Sequence, residues 1–202
     1  MIGLRNVSIG NGSCVADHTW INVCLRDEQV RLIVGRCVLI GRQSMISTGG
    51  RLEIGDYCVL APRVYISDAD HVFSDIGQPI LQQGATLGRS VVVEENCWLG
   101  INTVVSGNVT VARGSVIAAN SVVIDDVPPF CIVAGSPSTI IKMYNPVTRR
   151  WERTRTPEDQ ERIQQARESV RLPDRAEYCQ ILTAASTFNQ VDPIVAGRGL
   201  CI

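Results

Sequence analysis

Between residues 87 and 127 the apolar positions recur every six residues. Leu87, Val93, Leu99, Val105, Val111, Ile117 and Val123 open successive hexads. Four residues after each stands Val91, Cys97, Thr103, Val109, Ser115, Ser121 or Val127, small or β-branched every time. Between them fall Gly, Asn, Asp, Glu and Arg, the residues of tight corners. A period of six fits neither the 3.6 of a helix nor the 2 of a plain strand. It predicts a parallel β-helix of hexapeptides, an all-β fold in which three hexads, about 18 residues, complete a triangular coil. The opening aliphatic and the small residue four places later should point inward, because the prism is narrow. Coils stack at about the 4.8 Å strand spacing, so residues 18 apart should lie one above another.

The same register is legible upstream. Ile9, Val15 and Ile21 open three hexads before a charged break at Arg26-Asp27-Glu28, and residues 1–32 read as a less regular first coil or two. Val34, Ile40 and Ile46 resume the pattern, which slips by two at Arg51-Leu52-Glu53 and continues at Ile54, Leu60 and Ile66. It then stops until Leu87. The gap, a loop of about residues 68–86, carries Asp68, Asp70, His71 and Asp75. A loop thrown from a rigid scaffold is where function concentrates.

Beyond Pro128-Pro129 the repeats run out, and the expected division is a β-helix over residues 1–145 and a mainly helical extension over 146–202. Thr156-Pro157-Glu158-Asp159 reads as a helix start, with Thr as N-cap and Pro at the first helical position. Ile163, Ala166 and Val170 give one thin apolar stripe. A second helix is expected after Asp174, with Tyr178, Ile181, Leu182 and Ala185 on one face.

Composition narrows the function. Aromatic residues are 5% of the 202, which suits a prism with no room for large rings. A net charge of −1 gives no electrostatic support to a nucleic-acid partner. No basic segment followed by an apolar run opens the chain, and Val127–Ile141 is too short and too broken by Pro and Gly to span a bilayer. A cytoplasmic protein is expected. The eight cysteines show no C-x-x-C and no paired spacing; Cys58 and Cys97 fall on inward positions, where a thiol acts as a small apolar group.

His71 is the residue to which chemistry can be assigned. Transfer of an acyl group from a thioester to a hydroxyl requires a base as the oxygen attacks, and imidazole serves best near neutral pH. A carboxylate would fix its tautomer, and Asp70, Asp68 and Asp75 are all candidates. Gly100-Ile101, Ala118-Ala119 and Ser136-Pro137, spaced by 18, should stack into a groove along one prism edge that a thin ligand such as pantetheine could occupy. Trp98 should stand outward beside it.

The run Val93-Glu94-Glu95-Asn96-Cys97-Trp98-Leu99-Gly100, with Val105-Ser106-Gly107-Asn108-Val109-Thr110, Val127-Pro128-Pro129 and Ala134-Gly135-Ser136-Pro137, resembles the hexapeptide-repeat acetyltransferases. Ser67-Asp68-Ala69-Asp70-His71, followed by Ser74-Asp75, resembles the active-site loop of the bacterial surface-polysaccharide sugar O-acetyltransferases, kin of the galactoside and maltose acetyltransferases. The resemblance covers about residues 34–151. It implies a left-handed β-helix, a homotrimer with active sites between subunits, acetyl-CoA as donor, and a sugar, nucleotide-sugar or lipid-linked saccharide as acceptor. His71 falls where that family carries its base; of the loop acids, Asp70 is taken as its support and Asp68 and Asp75 as acceptor contacts. Trp98, Gly100, Ile101, Ala118 and Ala119 fall to the donor, and Lys142 to its adenosine 3′-phosphate.

Two departures concern the donor. Asp125 stands where many members carry Lys, and Thr139 where a basic residue is common, so two cations near the phosphates are missing. Arg113 or the tail arginines are the candidate replacements. A zinc enzyme of the γ-carbonic-anhydrase type needs three histidine ligands, and this chain has only His18 and His71, so no metal is expected. An amino-sugar N-acetyltransferase and a non-enzymatic trimeric scaffold are the competing functions.

Overall fold

The computed structural model describes residues 2–186 and the backbone of residues 200 and 201. The hexads form a three-sided prism of parallel strands. The first face stacks Val7–Ile9, Leu32–Val34, Arg51–Ile54, Ser90–Val93 and Val109–Val111. The second stacks Cys14–Val15, Leu39–Ile40, Val59–Leu60, Trp98–Leu99, Val116–Ile117 and Cys131–Gly135. The third stacks Trp20–Val23, Met45–Thr48, Tyr65–Ser67, Val104–Ser106 and Val122–Val123.

Register follows the repeat. Val91 pairs with Val109, Leu99 with Ile117 and Val105 with Val123, each 18 residues on. Insertions leave the stacking intact and bulge at corners. Val34 pairs with Ile54, two residues over the repeat, and the extra pair is Gly49-Gly50. A Cβ on Gly50 would lie 2.0 Å from the Arg89 carbonyl oxygen, so only glycine fits there. Ile54 pairs with Val93 across the 68–86 loop.

Each corner that enters or leaves the second face turns through one left-handed residue. Along the edge between the second and third faces these are His18, Gln43, Arg63, Asn102 and Asn120, with φ between 58° and 61°. Such a conformation costs a non-glycine residue about 1–2 kcal/mol. Coil-to-coil hydrogen bonds offset it: the Asn102 N–H donates to Pro62 O and the Asn120 N–H to Ile101 O.

The inward positions are those the hexads predict. Leu52, Ile54, Leu60, Ile66, Leu99 and Ile117 are fully buried, and Ser44, Cys58, Cys97, Thr103, Ser115 and Ser121 fill the narrow corners. Corner hydroxyls stitch coils together: Ser115 donates to Pro128 O and accepts from Cys131 N–H. Leu87 is the exception. It is exposed, because it belongs to the loop and the coil resumes only at Ser90.

The last coil is two residues short, with Ile117 opposite Val133. Ala118 therefore stacks against Ala134, not against Ser136-Pro137, which turns the chain into the antiparallel strand Ser138–Asn145. Arg150–Arg153 pairs with that strand in turn, so the chain does not divide at residue 145; that position is the start of a hairpin turn. There Asn145 Oδ1 accepts from the N–H groups of Val147 and Thr148. Helix α1 (Pro157–Ser169) follows with Thr156 as its N-cap, and its fully buried Ile163 joins the core cluster. Helix α2 (Arg175–Ala185) opens on an Asp174–Glu177 capping box and runs against the edge of the first face. Arg175 reaches both Glu95 and Glu53, Tyr178 accepts from Asn96 Nδ2 at 2.6 Å, and its ring meets Phe130 edge-on at 5.0 Å. Ile181 and Ala185, expected on the packed face with Tyr178, are exposed instead. The backbone of Leu200–Cys201 pairs with Cys14–Val15 at the far end of the second face.

Candidate active site

The 68–86 loop leaves the prism at the edge between the third and first faces. Its base is a short antiparallel ladder in which Asp70 pairs with Thr86 and His71 with Ala85. Successive residues of a strand point to opposite sides, so Asp70 and His71 diverge. The His71 ring is exposed, and among the described residues no side chain hydrogen-bonds it. Asp70 is bound instead to Arg89, Nη1 to Oδ2 at 2.8 Å, which ties the start of the loop to its end.

The three loop carboxylates are each engaged within the chain. Asp70 does not orient His71; it closes the loop. Asp68 does not face an acceptor: it is 1% exposed, and its oxygens accept from Thr48 Oγ1, Gly49 N–H and Gly50 N–H at 2.6–3.0 Å. It is the anchor of the two-residue bulge beneath the loop. Asp75 caps a turn, Oδ1 accepting from Gly77 N–H at 2.8 Å. Gln83 grips the same turn, donating to the Asp75 and Gln78 carbonyls and accepting from Asp75 N–H. Arg89 is thus a working part of the loop that its sequence did not flag, since its partner is set by the hairpin register.

The donor positions gather on the edge between the second and third faces. Gly100 N–H donates to Ile117 O and Ala118 N–H to Val133 O, so the small residues stack. A Cβ on Gly100 would come within 2.6 Å of Ala119 N, which keeps this row low. Ile101 and Ala119 stand at its surface. Trp98 lies beside it, pointing out from the second face at 54% exposure. Lys142 lies further along that face, opposite Ile132.

His71 and this row occupy different edges of one chain. The third face, here the strand Val104–Ser106, separates them. Both faces flanking the donor edge carry apolar outward rows: Leu39, Val59 and Trp98 on the second, Trp20, Met45 and Tyr65 on the third. The edge of the first face is held by α2.

Electrostatics sort the remaining groups. Burial holds the Cys97 thiol well above the usual range, and burial also raises Cys131, so neither is a thiolate nucleophile. Burial raises the Glu53 carboxyl, but the bonds and charges of Arg175 and Arg51 together outweigh this and leave it below its ordinary value. Among the described residues no three metal-ligating side chains come together.

Residues 90–125 match the bacterial transferase hexapeptide pattern of six repeats. Over 159 residues the chain is 30% identical to WbbJ of Escherichia coli K12, a protein named for O-acetyl transfer in lipopolysaccharide biosynthesis. That match covers 75% of this chain and 71% of WbbJ. The chain belongs to the hexapeptide-repeat acetyltransferase family. Its prism is accordingly the left-handed parallel β-helix of that family. An acetyltransferase-named protein of Mycobacterium tuberculosis is 32% identical over 69% of this chain, and the galactoside O-acetyltransferase of Escherichia coli K12 is 32% identical over 46%. The chain spans 45% of the length of each of these two. The fold also matches AntD, an N-acyltransferase from Bacillus cereus solved with dTDP and coenzyme A, at a TM-score of 0.57 and 17% identity over 84% of both chains. That likeness concerns the fold.

Proposed function

We propose that this chain transfers an acetyl group from acetyl-CoA to a sugar hydroxyl in cell-surface polysaccharide biosynthesis, with His71 as general base. The observation that carries the reading is the placement of His71: exposed, on a braced hairpin, at the one large break in the repeat. The likeness to WbbJ over most of both chains supports the acceptor class. The acceptor is a nucleotide-linked or lipid-linked saccharide met on the cytoplasmic side. Among the described residues no helix is long and apolar enough to cross a membrane.

The hydroxyl oxygen attacks the thioester carbonyl while the His71 imidazole takes its proton. The tetrahedral centre collapses, the C–S bond breaks, and the CoA thiolate receives a proton. No serine or cysteine in the sequence stands at a nucleophile motif with a base of its own, so the transfer is direct. Because one chain holds its base and its donor row on different edges, the working site takes His71 from one copy and the row from another, as in a homotrimer.

The test is acetyl-CoA turnover across a panel of nucleotide sugars, simple glycosides and amino sugars. A hydroxyl acceptor should give turnover, and His71→Ala should lower kcat on it by about 10²-fold or more with CoA affinity unchanged. Turnover confined to amino groups would replace this reading with N-acetylation. Full activity of His71→Ala would remove His71 from the mechanism.

A further inference from the structure

The outward row of the second face does not end with the last coil. In register it runs Val59, Trp98, Val116, Ile132, and then Lys142 and Arg153 on the two antiparallel strands beyond. Residues opposite one another in register stand on the same side of a sheet. The row is therefore apolar through Ile132 and terminates in two cations facing each other. From Trp98 to Arg153 it crosses four strand spacings, about 19 Å, a span of the order of an extended pantetheine arm.

Like charges placed directly opposite repel and destabilise the pair. Among the described residues, neither Lys142 nor Arg153 has a side-chain hydrogen bond or ion pair, whereas Arg36, Arg89, Arg162 and Arg175 each meet a carboxylate. The nearest acid in sequence, Glu152, sits on the other side of its strand and is held by Arg162, Thr148 and Asn145. The edge-on pair of Tyr144 and Trp151, centroids 5.7 Å apart, flanks the two cations on the outward side. Arg113, the other replacement considered from the sequence, is spent on Glu94 and the Pro173 carbonyl.

We propose that Arg153 joins Lys142 in binding the 3′-phosphate of CoA, supplying a cation that the chain lacks at Asp125 and Thr139. The inference rests on the donor being a CoA thioester, as in the proposed function. A phosphate monoester carries nearly two negative charges. Seated between the two side chains, it converts their repulsion into two charge-assisted contacts, and the guanidinium offers a bidentate one. Arg153 reaches this position through strand pairing of the tail hairpin, which no hexapeptide spacing specifies.

The experiment is calorimetric titration of CoA and 3′-dephospho-CoA into the wild type, Arg153→Gln and Arg153→Lys. Arg153→Gln should weaken CoA about tenfold while leaving 3′-dephospho-CoA within about twofold, and Arg153→Lys should keep part of the affinity. Equal weakening of both ligands, or none of either, overturns the 3′-phosphate assignment while the CoA reading stands. A wild type that binds neither ligand overturns the CoA reading and this inference with it.

Discussion

Asp68 and Asp70 stand two residues apart in one loop, and the structure gives them unlike work. Asp68, buried beneath the loop, satisfies one hydroxyl and two backbone N–H groups of the Gly49-Gly50 bulge. Asp68→Ala leaves those donors unpaired and should cost about 2–4 kcal/mol of stability, read by urea unfolding. Asp70 and Arg89 form an exposed ion pair, which contributes about 0–1 kcal/mol. Asp70→Asn should therefore leave unfolding nearly unchanged and lower kcat far less than His71→Ala. A loss from Asp70→Asn equal to that of His71→Ala would show that the two side chains act as a unit. The loop's importance was legible in the sequence, because the repeat breaks there and resumes. Which of its acids faced outward was not. That depends on the side each takes at a corner and in a two-residue ladder, and no periodicity spans so short a stretch.

The repeat made the prism readable because every hexad states the same inward and outward sides, and each coil is checked by the one above it. Insertions at Gly49-Gly50 and at 68–86 displace the register without reversing it, since whole corners absorb them. The tail offered no such redundancy. Its helix starts were legible from Thr156 and Asp174, but the docked face of α2 was not, because polar groups set it. Arg175, Tyr178 and the Pro173 carbonyl hold the prism, while Ile181 faces outward. Arg175→Ala would strand the buried Glu95 carboxylate and should cost about 3 kcal/mol, read as a lower melting temperature. The pair also fixes a direction with pH. The folded-state pKa of Glu53 lies below its unfolded value. Its contribution is therefore complete above the unfolded carboxyl range, near pH 4.3, and is lost as pH falls through the lowered folded value. Wild type should lose melting temperature over that acid range more steeply than Arg175→Ala; parallel curves would show that the bond carries no stability.

At the scale of the whole molecule, the proposed function puts the base on one edge of the prism and the donor row on another, and so needs a second copy to close the site. The bare apolar rows on the two faces flanking the donor edge, with α2 held at the edge of the first, leave those two faces for other copies. Flat repeated faces related by rotation suit closed cyclic assembly. A complementation experiment separates a shared site from one contained in a single chain. One variant is His71→Ala, which keeps the donor row. The other is Ala119→Trp, which sets a bulky ring on the exposed corner of that row and keeps His71. Each alone should be nearly inactive as a homo-oligomer. Co-expressed in equal amounts and assembled at random, about one site in four pairs an intact base from one chain with an intact row from the other. Activity should therefore return to about a quarter of the wild-type value per site, while mixing the two preformed oligomers without exchange should restore none. If the co-expressed mixture stays inactive although sedimentation shows mixed assemblies of wild-type mass, base and donor row belong to the same chain. The hairpin must then fold across the third face.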